Sequence, residues 1–274
     1  MPNYTVVTRE AHANKRWQHN SNYTFAAGEA VVPVLAFELH NAVERLTLAF
    51  IPQGAGFRPV ALLGLAPGEN LFVSPDGRWL GGYVPAALRT PPFRLANTPE
   101  GQQVLCIDAD SALLTDGPAG EAFFNADGTP AEGVAQVLRV LDELEGNRGV
   151  TAAACAALQA HQLIVPWDIT VQSEAGTQTV EGLYKIDKAA LEALPGADFG
   201  ALRKSRARAL AYCQLLSMQH LATLGQLARA HATAAAQAAQ AAQAAKAAAI
   251  APPARELDLE FLNRSGTPSF GGLV

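Results

Sequence analysis

The chain has 274 residues, enough for one large domain or two small ones. Only 16% of its residues are charged, the net charge is −5 and the pI is near 5.7, which argues against a general nucleic-acid-binding surface. No apolar run follows the N-terminal positive charges, and no uninterrupted apolar stretch of membrane-spanning length occurs, so a cytoplasmic protein without a Sec-type signal or transmembrane segment is expected.

The first half has the pattern of short buried strands. Val31–Phe37 and Leu46–Ile51 are apolar runs bounded by polar, glycine or proline residues. Strands are expected again over 60–65, 71–74, 104–108 and 122–125. Ala66-Pro67-Gly68-Glu69 fits a type II turn, and Ser74-Pro75-Asp76-Gly77 has similar turn grammar.

The period then changes. Over 130–144, Val134, Val137, Leu138 and Leu141 share one helical face. Gly149 is expected to end that helix, and Thr151 to cap a second one over 152–162. A hairpin is expected with strands over 167–172 and 178–186 around a glycine-containing loop. Asp187 opens a short helix. A long helix is expected from Asp198 to Ala232, with Leu210, Cys213, Ser217, Leu221, Leu224 and Ala228 forming one seam. Ser217 breaks that seam, either bonding back to its own helix or marking a close crossing or ligand contact.

From Ala232 the chain is alanine interrupted by Gln237, Gln240, Gln243 and Lys246. Alanine favours continued helix, but a polar residue every third position drifts around the cylinder and leaves no constant docking face. Pro252-Pro253 stops the tract. Glu256–Phe261 alternates acid and apolar, as a sheet-edge strand would. The expected architecture is therefore α+β. A single domain spans 1–232, β-rich over 22–128 and mainly helical over 129–232. A helical extension or spacer over 233–251 and a tail over 252–274 follow.

The three cysteines, Cys106, Cys155 and Cys213, have neither zinc-ligand nor disulfide-framework spacing, and no histidine has a metal-ligand partner nearby, so no metal and no cofactor is expected. No nucleophile elbow, P-loop or dinucleotide fingerprint occurs, and no catalytic residue is assigned. The basic run Arg203–Arg208 puts Lys204 and Arg208 four apart, on one face of the expected helix. Arg78, Trp79, Tyr83, Arg89 and Phe93 fall close together in a glycine- and proline-rich segment. Rigid turns can present such a set to a peptide, with rings for side chains and guanidiniums for a carboxylate. The same rings could instead seal a small core. Asp108, Tyr184 and Ser217 are a second set, suited to a pocket.

Ala61-Leu62-Leu63-Gly64-Leu65, Gly68-Glu69-Asn70-Leu71-Phe72-Val73, Trp79, Tyr83-Val84-Pro85-Ala86 and Pro92-Phe93 resemble the SapC family of bacterial proteins. Leu105–Asp108, Glu181–Asp187, Tyr212, Leu216-Ser217, Glu10–His12 and Ala36–Glu38 extend the resemblance over roughly residues 5–228. The resemblance implies, by the family name, a link to bacterial surface layers, and it is distinct from that to a like-named antimicrobial-peptide permease. Family genes tend to lie beside those for TonB-dependent receptors and for tryptophan halogenases or cupin-like oxygenases, which implies an accessory role. No catalytic residues carry over. The leading expectation is a non-catalytic peptide- or protein-binding adaptor of the cell envelope, with the long helix or the tail offering a surface for a homodimer. The alternatives are an enzyme or oxygenase partner acting on a peptide or small metabolite, and a structural surface-layer protein.

Overall fold

The computed structural model describes residues 3–173 and 176–250. The N-terminal segment contributes β1 (Tyr4–Val6), α1 (Arg9–His12) and β2 (Arg16–Trp17). β3 (Val31–Pro33) passes through a 3-10 turn (Ala36–Glu38) into α2 (Leu39–Ala42), and β4 (Thr47–Gln53) turns back as β5 (Gly56–Leu62). α3 (Ala86–Arg89), β6 (Phe93–Asn97), β7 (Gln103–Asp108), β8 (Leu114–Thr115) and β9 (Glu121–Ala122) complete the β-rich half. The second half holds α4 (Glu132–Ala160), β10 (Ile164–Pro166), β11 (Ile169–Ser173), β12 (Gly176–Val180) and β13 (Tyr184–Ile186). It ends in α5 (Lys188–Glu192), α6 (Gly196–Lys204), α7 (Ala207–Ser217) and α8 (Leu221–Ile250). The fold is α+β as the hydrophobic periods require, with strands concentrated first and helices second.

The main sheet has the order β10-β13-β4-β5-β3, all antiparallel. Its centre is buried on both faces: Leu48, Ala49 and Phe50 of β4 and Val60, Ala61 and Leu62 of β5 all lie in the core. That explains why these strands read as continuous apolar runs rather than as alternating ones. α4 packs on β5, and α7 on β4 and β13. A second core forms where the sheet β1-β7-β6 meets α4, around Trp17, Phe93, Ile107, Phe123, Leu141 and Leu144. His12 is buried against Phe123, with ring centroids 5.2 Å apart. Burial holds its pKa below the ordinary value.

Gly64 shows how tightly the chain is folded after β5. Leu63 and Gly64 both donate to Ala30 O, and a Cβ on Gly64 would lie only 1.9 Å from the Glu69 carbonyl oxygen. That oxygen belongs to the main chain and cannot swing aside. Gly64→Ala is expected to cost about 3 kcal/mol in urea unfolding; a loss below about 1 kcal/mol would mean that the 66–69 turn yields freely.

Several expected elements are corrected. Residues 71–74 are no strand; Val73 makes a single bridge to Trp79. Residues 34–37 leave the strand for a 3-10 turn. The two helices expected around Gly149 are one, α4. Gly146 and Gly149 face open space, so each costs only its propensity, about 1 kcal/mol, while Leu141, Leu144, Ala154, Cys155 and Leu158 bury one seam. Thr151 is no cap: its hydroxyl donates to Asn147 O at 2.7 Å and accepts from Ala36 N at 2.9 Å. The hairpin pairs β11 with β12, Ile169 opposite Val180, whereas β13 belongs to the main sheet.

The long helix expected from Asp198 is broken twice. Arg206 adopts φ 60°, separating α6 from α7, so Lys204 and Arg208 stand on different helices. Arg208 lies over the Phe199 ring. A non-glycine residue pays about 1 kcal/mol for this conformation, here offset by burying Leu202, Ala207 and Leu210 on either side. A 3-10 turn over Met218–His220 then leads into α8, and His220 Nε2 donates to Val43 O at 2.9 Å. Contacts divide the chain into Met1–Ala230 and His231–Val274. In the second unit α8 continues through the alanine tract to Ile250, with side chains exposed over 232–246. The strand expected over 256–261 lies outside the described residues.

Candidate functional site

The segment from Phe72 to Leu80 is a tight hairpin. Leu80 N donates to Phe72 O at 2.7 Å, Ser74 N to Arg78 O at 2.9 Å and Gly77 N to Ser74 O at 2.8 Å. Gly77 has φ 84°, which the turn requires, and a Cβ there would run into the Asn22 side chain. Tyr23 N donates to Gly77 O at 2.7 Å, so the 20–30 loop docks on the hairpin tip. Asn70, buried, fastens the other side. Its Nδ2 donates to Ala26 O and its Oδ1 accepts from Phe72 N.

This docking assembles a run of rings. Trp79 stacks on Phe72 with centroids 5.4 Å apart and 16° between planes. Tyr23 leans on Trp79 at 5.6 Å, and Phe25 on Tyr23 at 6.2 Å. Phe25 is 51% exposed and Leu80 45%, large values for such side chains. Phe72 is buried, and Trp79 and Tyr23 are half-buried. The result is an aromatic shelf: rigid below, open above.

Behind the shelf lies a buried carboxylate. Glu38 is 1% exposed. Its Oε1 accepts from Leu35 N at 3.0 Å, and its Oε2 from the Tyr83 hydroxyl at 2.7 Å and from Ala86 N at 2.8 Å. Glu38 thus closes the 3-10 turn and holds the start of α3. Trp79 Nε1 donates to Tyr83 O at 2.9 Å, so the shelf is tied to the same network. Arg89 reaches the Tyr83 hydroxyl at 3.5 Å, with its guanidinium 5.7 Å from the ring centroid. Arg45 lies against Gly82. Arg78 pairs with Asp76 at 2.6 Å.

The Tyr83 phenol is pushed well above its ordinary pKa of 10.0, first by burial, then by its hydrogen bond to Glu38 and that carboxylate's charge; Arg89 opposes the shift. The folded state therefore favours the neutral phenol. Its contribution is complete below pH 10.0 and is lost as pH rises through the folded-state value. Tyr83→Phe should lose about 1 kcal/mol at neutral pH, yet fall less steeply than wild type between about pH 9 and 11 in urea melts. Tyr4 and Tyr23 shift in the same direction, so the difference between the two proteins isolates Tyr83. Parallel pH profiles would contradict the assignment.

Of the residues singled out in the sequence, Trp79, Tyr83 and Arg89 are linked here, whereas the Arg78 side chain pairs with Asp76 in the hairpin. Phe93 is not among them: it is 2% exposed and meets Trp17 edge-on at 4.9 Å in the second core. As the first residue of β6 it points inward, as Leu95 does two positions on. Asp108, Tyr184 and Ser217 each have partners of their own. Asp108 accepts from Asn3 N and Asp110 N at the end of β7, Tyr184 packs on Phe57 at 4.9 Å, and Ser217 is buried under β4. Cys155 is a buried thiol whose pKa burial pushes up to about 12. Among the described residues no cluster of His, Cys, Asp or Glu could hold a metal, and no helix is long and apolar enough to cross a membrane.

Sequence reasoning missed Tyr23, Phe25, Glu38 and Arg45. The spacing of Tyr23 and Phe25 beside the Asn20-Ser21-Asn22 turn was a signal. Only its Leu35 donor is local to Glu38; the other two come from residues 83 and 86, which the sequence around Glu38 does not reveal.

An α+β protein with an exposed aromatic shelf backed by a buried carboxylate is thus defined. The SapC family model matches residues 7–224, and the chain belongs to the SapC family. No curated protein and no solved structure matches it.

Proposed function

We propose that this SapC-family protein is a peptide- or protein-binding accessory protein, and that the shelf of Tyr23, Phe25, Trp79 and Leu80 is its binding surface. The observation that carries the reading is the exposure of Phe25 and Leu80 on a hairpin and loop that main-chain hydrogen bonds hold in place. Exposed apolar groups on a preorganised support lose little entropy when covered, the property binding surfaces share. Adjacent guanidiniums add polar contacts at the rim. A role at the cell envelope, beside TonB-dependent receptors, is the setting proposed for this activity.

The test is a peptide array probed with wild type, Phe25→Ser, Leu80→Ser and Trp79→Ala. Phe25 and Leu80 contribute little to the core, so their variants should melt within about 0.5 kcal/mol of wild type. Both should lose most peptide binding. Undiminished binding by all three folded variants would refute the surface.

A further inference from the structure

The cations around the shelf are not equivalent. Arg78 is committed to Asp76, whereas Arg89 and Arg45 have no ion-pair partner among the described residues. Arg89 is also the better placed. It ends α3, whose start is fixed by Glu38, and it is steadied against the Tyr83 ring and hydroxyl. Tyr83 O in turn accepts from Trp79 Nε1 at 2.9 Å, so the guanidinium borders the Trp79 end of the shelf through Tyr83. Among the described residues its one hydrogen bond, at 3.5 Å to a neutral hydroxyl, leaves most of its five N–H donors unused.

We infer that Arg89 selects the ligand: the shelf takes a peptide segment in which an aspartate or glutamate side chain follows an aromatic or aliphatic one. This rests on the binding role proposed for the shelf and names its ligand class. A guanidinium held by a ring face, with a free fork of donors, is matched by a carboxylate, and the neighbouring rings by an apolar side chain. Tyr23, Phe25, Trp79 and Leu80 line neither the cavity bounded by Leu35, Ala87, Thr90 and Leu144 nor the one bounded by Tyr212 and Leu216, and the exposure of Phe25 and Leu80 leaves room for a segment within a chain to cross. The protein's own net charge of −5 makes a local unpaired cation a selective feature rather than a general one.

The experiment uses the full chain and peptides blocked at both ends, drawn from the array binders and varied as Phe-Glu, Phe-Gln and Phe-Lys. Trp79 emission is the readout, because Trp17 and Trp167 are buried in the cores. Wild type should bind the Phe-Glu form about tenfold tighter than Phe-Gln. Arg89→Gln should abolish that difference by weakening the Phe-Glu form the most, and Arg89→Glu should move the preference to Phe-Lys. Equal binding of all three peptides, still lost in Phe25→Ser, would overturn the role of Arg89 and leave the shelf standing. Binding confined to peptides with a free C-terminal carboxylate would overturn the internal acidic residue. Absence of any binding that depends on Phe25 or Trp79 would overturn both.

Discussion

Glu38→Ala is expected to lower stability by about 4 kcal/mol in urea unfolding. It would strand three donors at once, the Leu35 and Ala86 amides and the Tyr83 hydroxyl. Each buried orphan costs about 1–3 kcal/mol, and release of the desolvated carboxylate returns part of that. Tyr83 is half-buried and can turn to water, which softens its share. Glu38→Gln should cost about 2 kcal/mol, since the amide keeps one acceptor and sets its NH2 against a donor. The effect should reach the shelf: Trp79 Nε1 hangs on Tyr83 O, so Trp79 emission should shift in both variants before global unfolding. A Glu38→Ala loss below about 1 kcal/mol, or an unchanged emission spectrum, would show that the carboxylate does not support the site.

Gln214→Leu is expected to cost about 3 kcal/mol, for a reason elsewhere in the fold. β13 and β4 are paired only at Tyr184 opposite Phe50. Next to that point Gln214, 0% exposed on α7, bridges the two strands. Its Oε1 accepts from Ile186 N at 2.9 Å and its Nε2 donates to Leu48 O at 3.2 Å. Ser217, one turn on, accepts from Leu48 N at 2.9 Å and donates to Gln214 O at 2.6 Å. A helix thus supplies bonds that a neighbouring strand would ordinarily make. Leucine conserves much of the volume but orphans an N–H and a C=O. Ser217→Ala should cost about 1–2 kcal/mol, and the double variant less than the sum, because both residues hold Leu48. Hydrogen exchange should accelerate first at the Ile186 amide. Unchanged protection there would mean that Gln214 is not the partner that matters.

Ser217 illustrates the limit of sequence reading. Its position in an apolar seam was visible, and so were two explanations, a bond to its own helix and a close crossing. The structure has both. Gln214 was not visible as important, since a lone glutamine on a helix reads as a surface residue. The same holds at the shelf. Trp79, Tyr83 and Arg89 stood out because aromatics and arginines in a glycine- and proline-rich stretch must sit on turns. Phe93 looked equivalent and is core. The difference lies only in which way β6 faces, and that is set by Trp17 and Phe123, far off in the chain.

What the sequence determined by itself was local and periodic. The apolar runs of β4 and β5, the seam of α4, the turns at Gly68 and Gly77, the Asp187 cap and the helical bias of the alanine tract follow from side-chain period and backbone freedom within a few residues. Tertiary structure decided the rest. It carried α4 through two glycines, because a continuous buried seam outweighs their propensity cost. It broke the later helix at Arg206, where no glycine or proline announces a stop, because Leu202 and Ala207 both had to be buried. It buried Glu38 and Gln214, because Tyr83 and Ala86 for the one, and Ile186 and Leu48 for the other, come from segments distant in the chain. Those partners have no signature in the residues beside them, and they exist only once the chain has closed on itself.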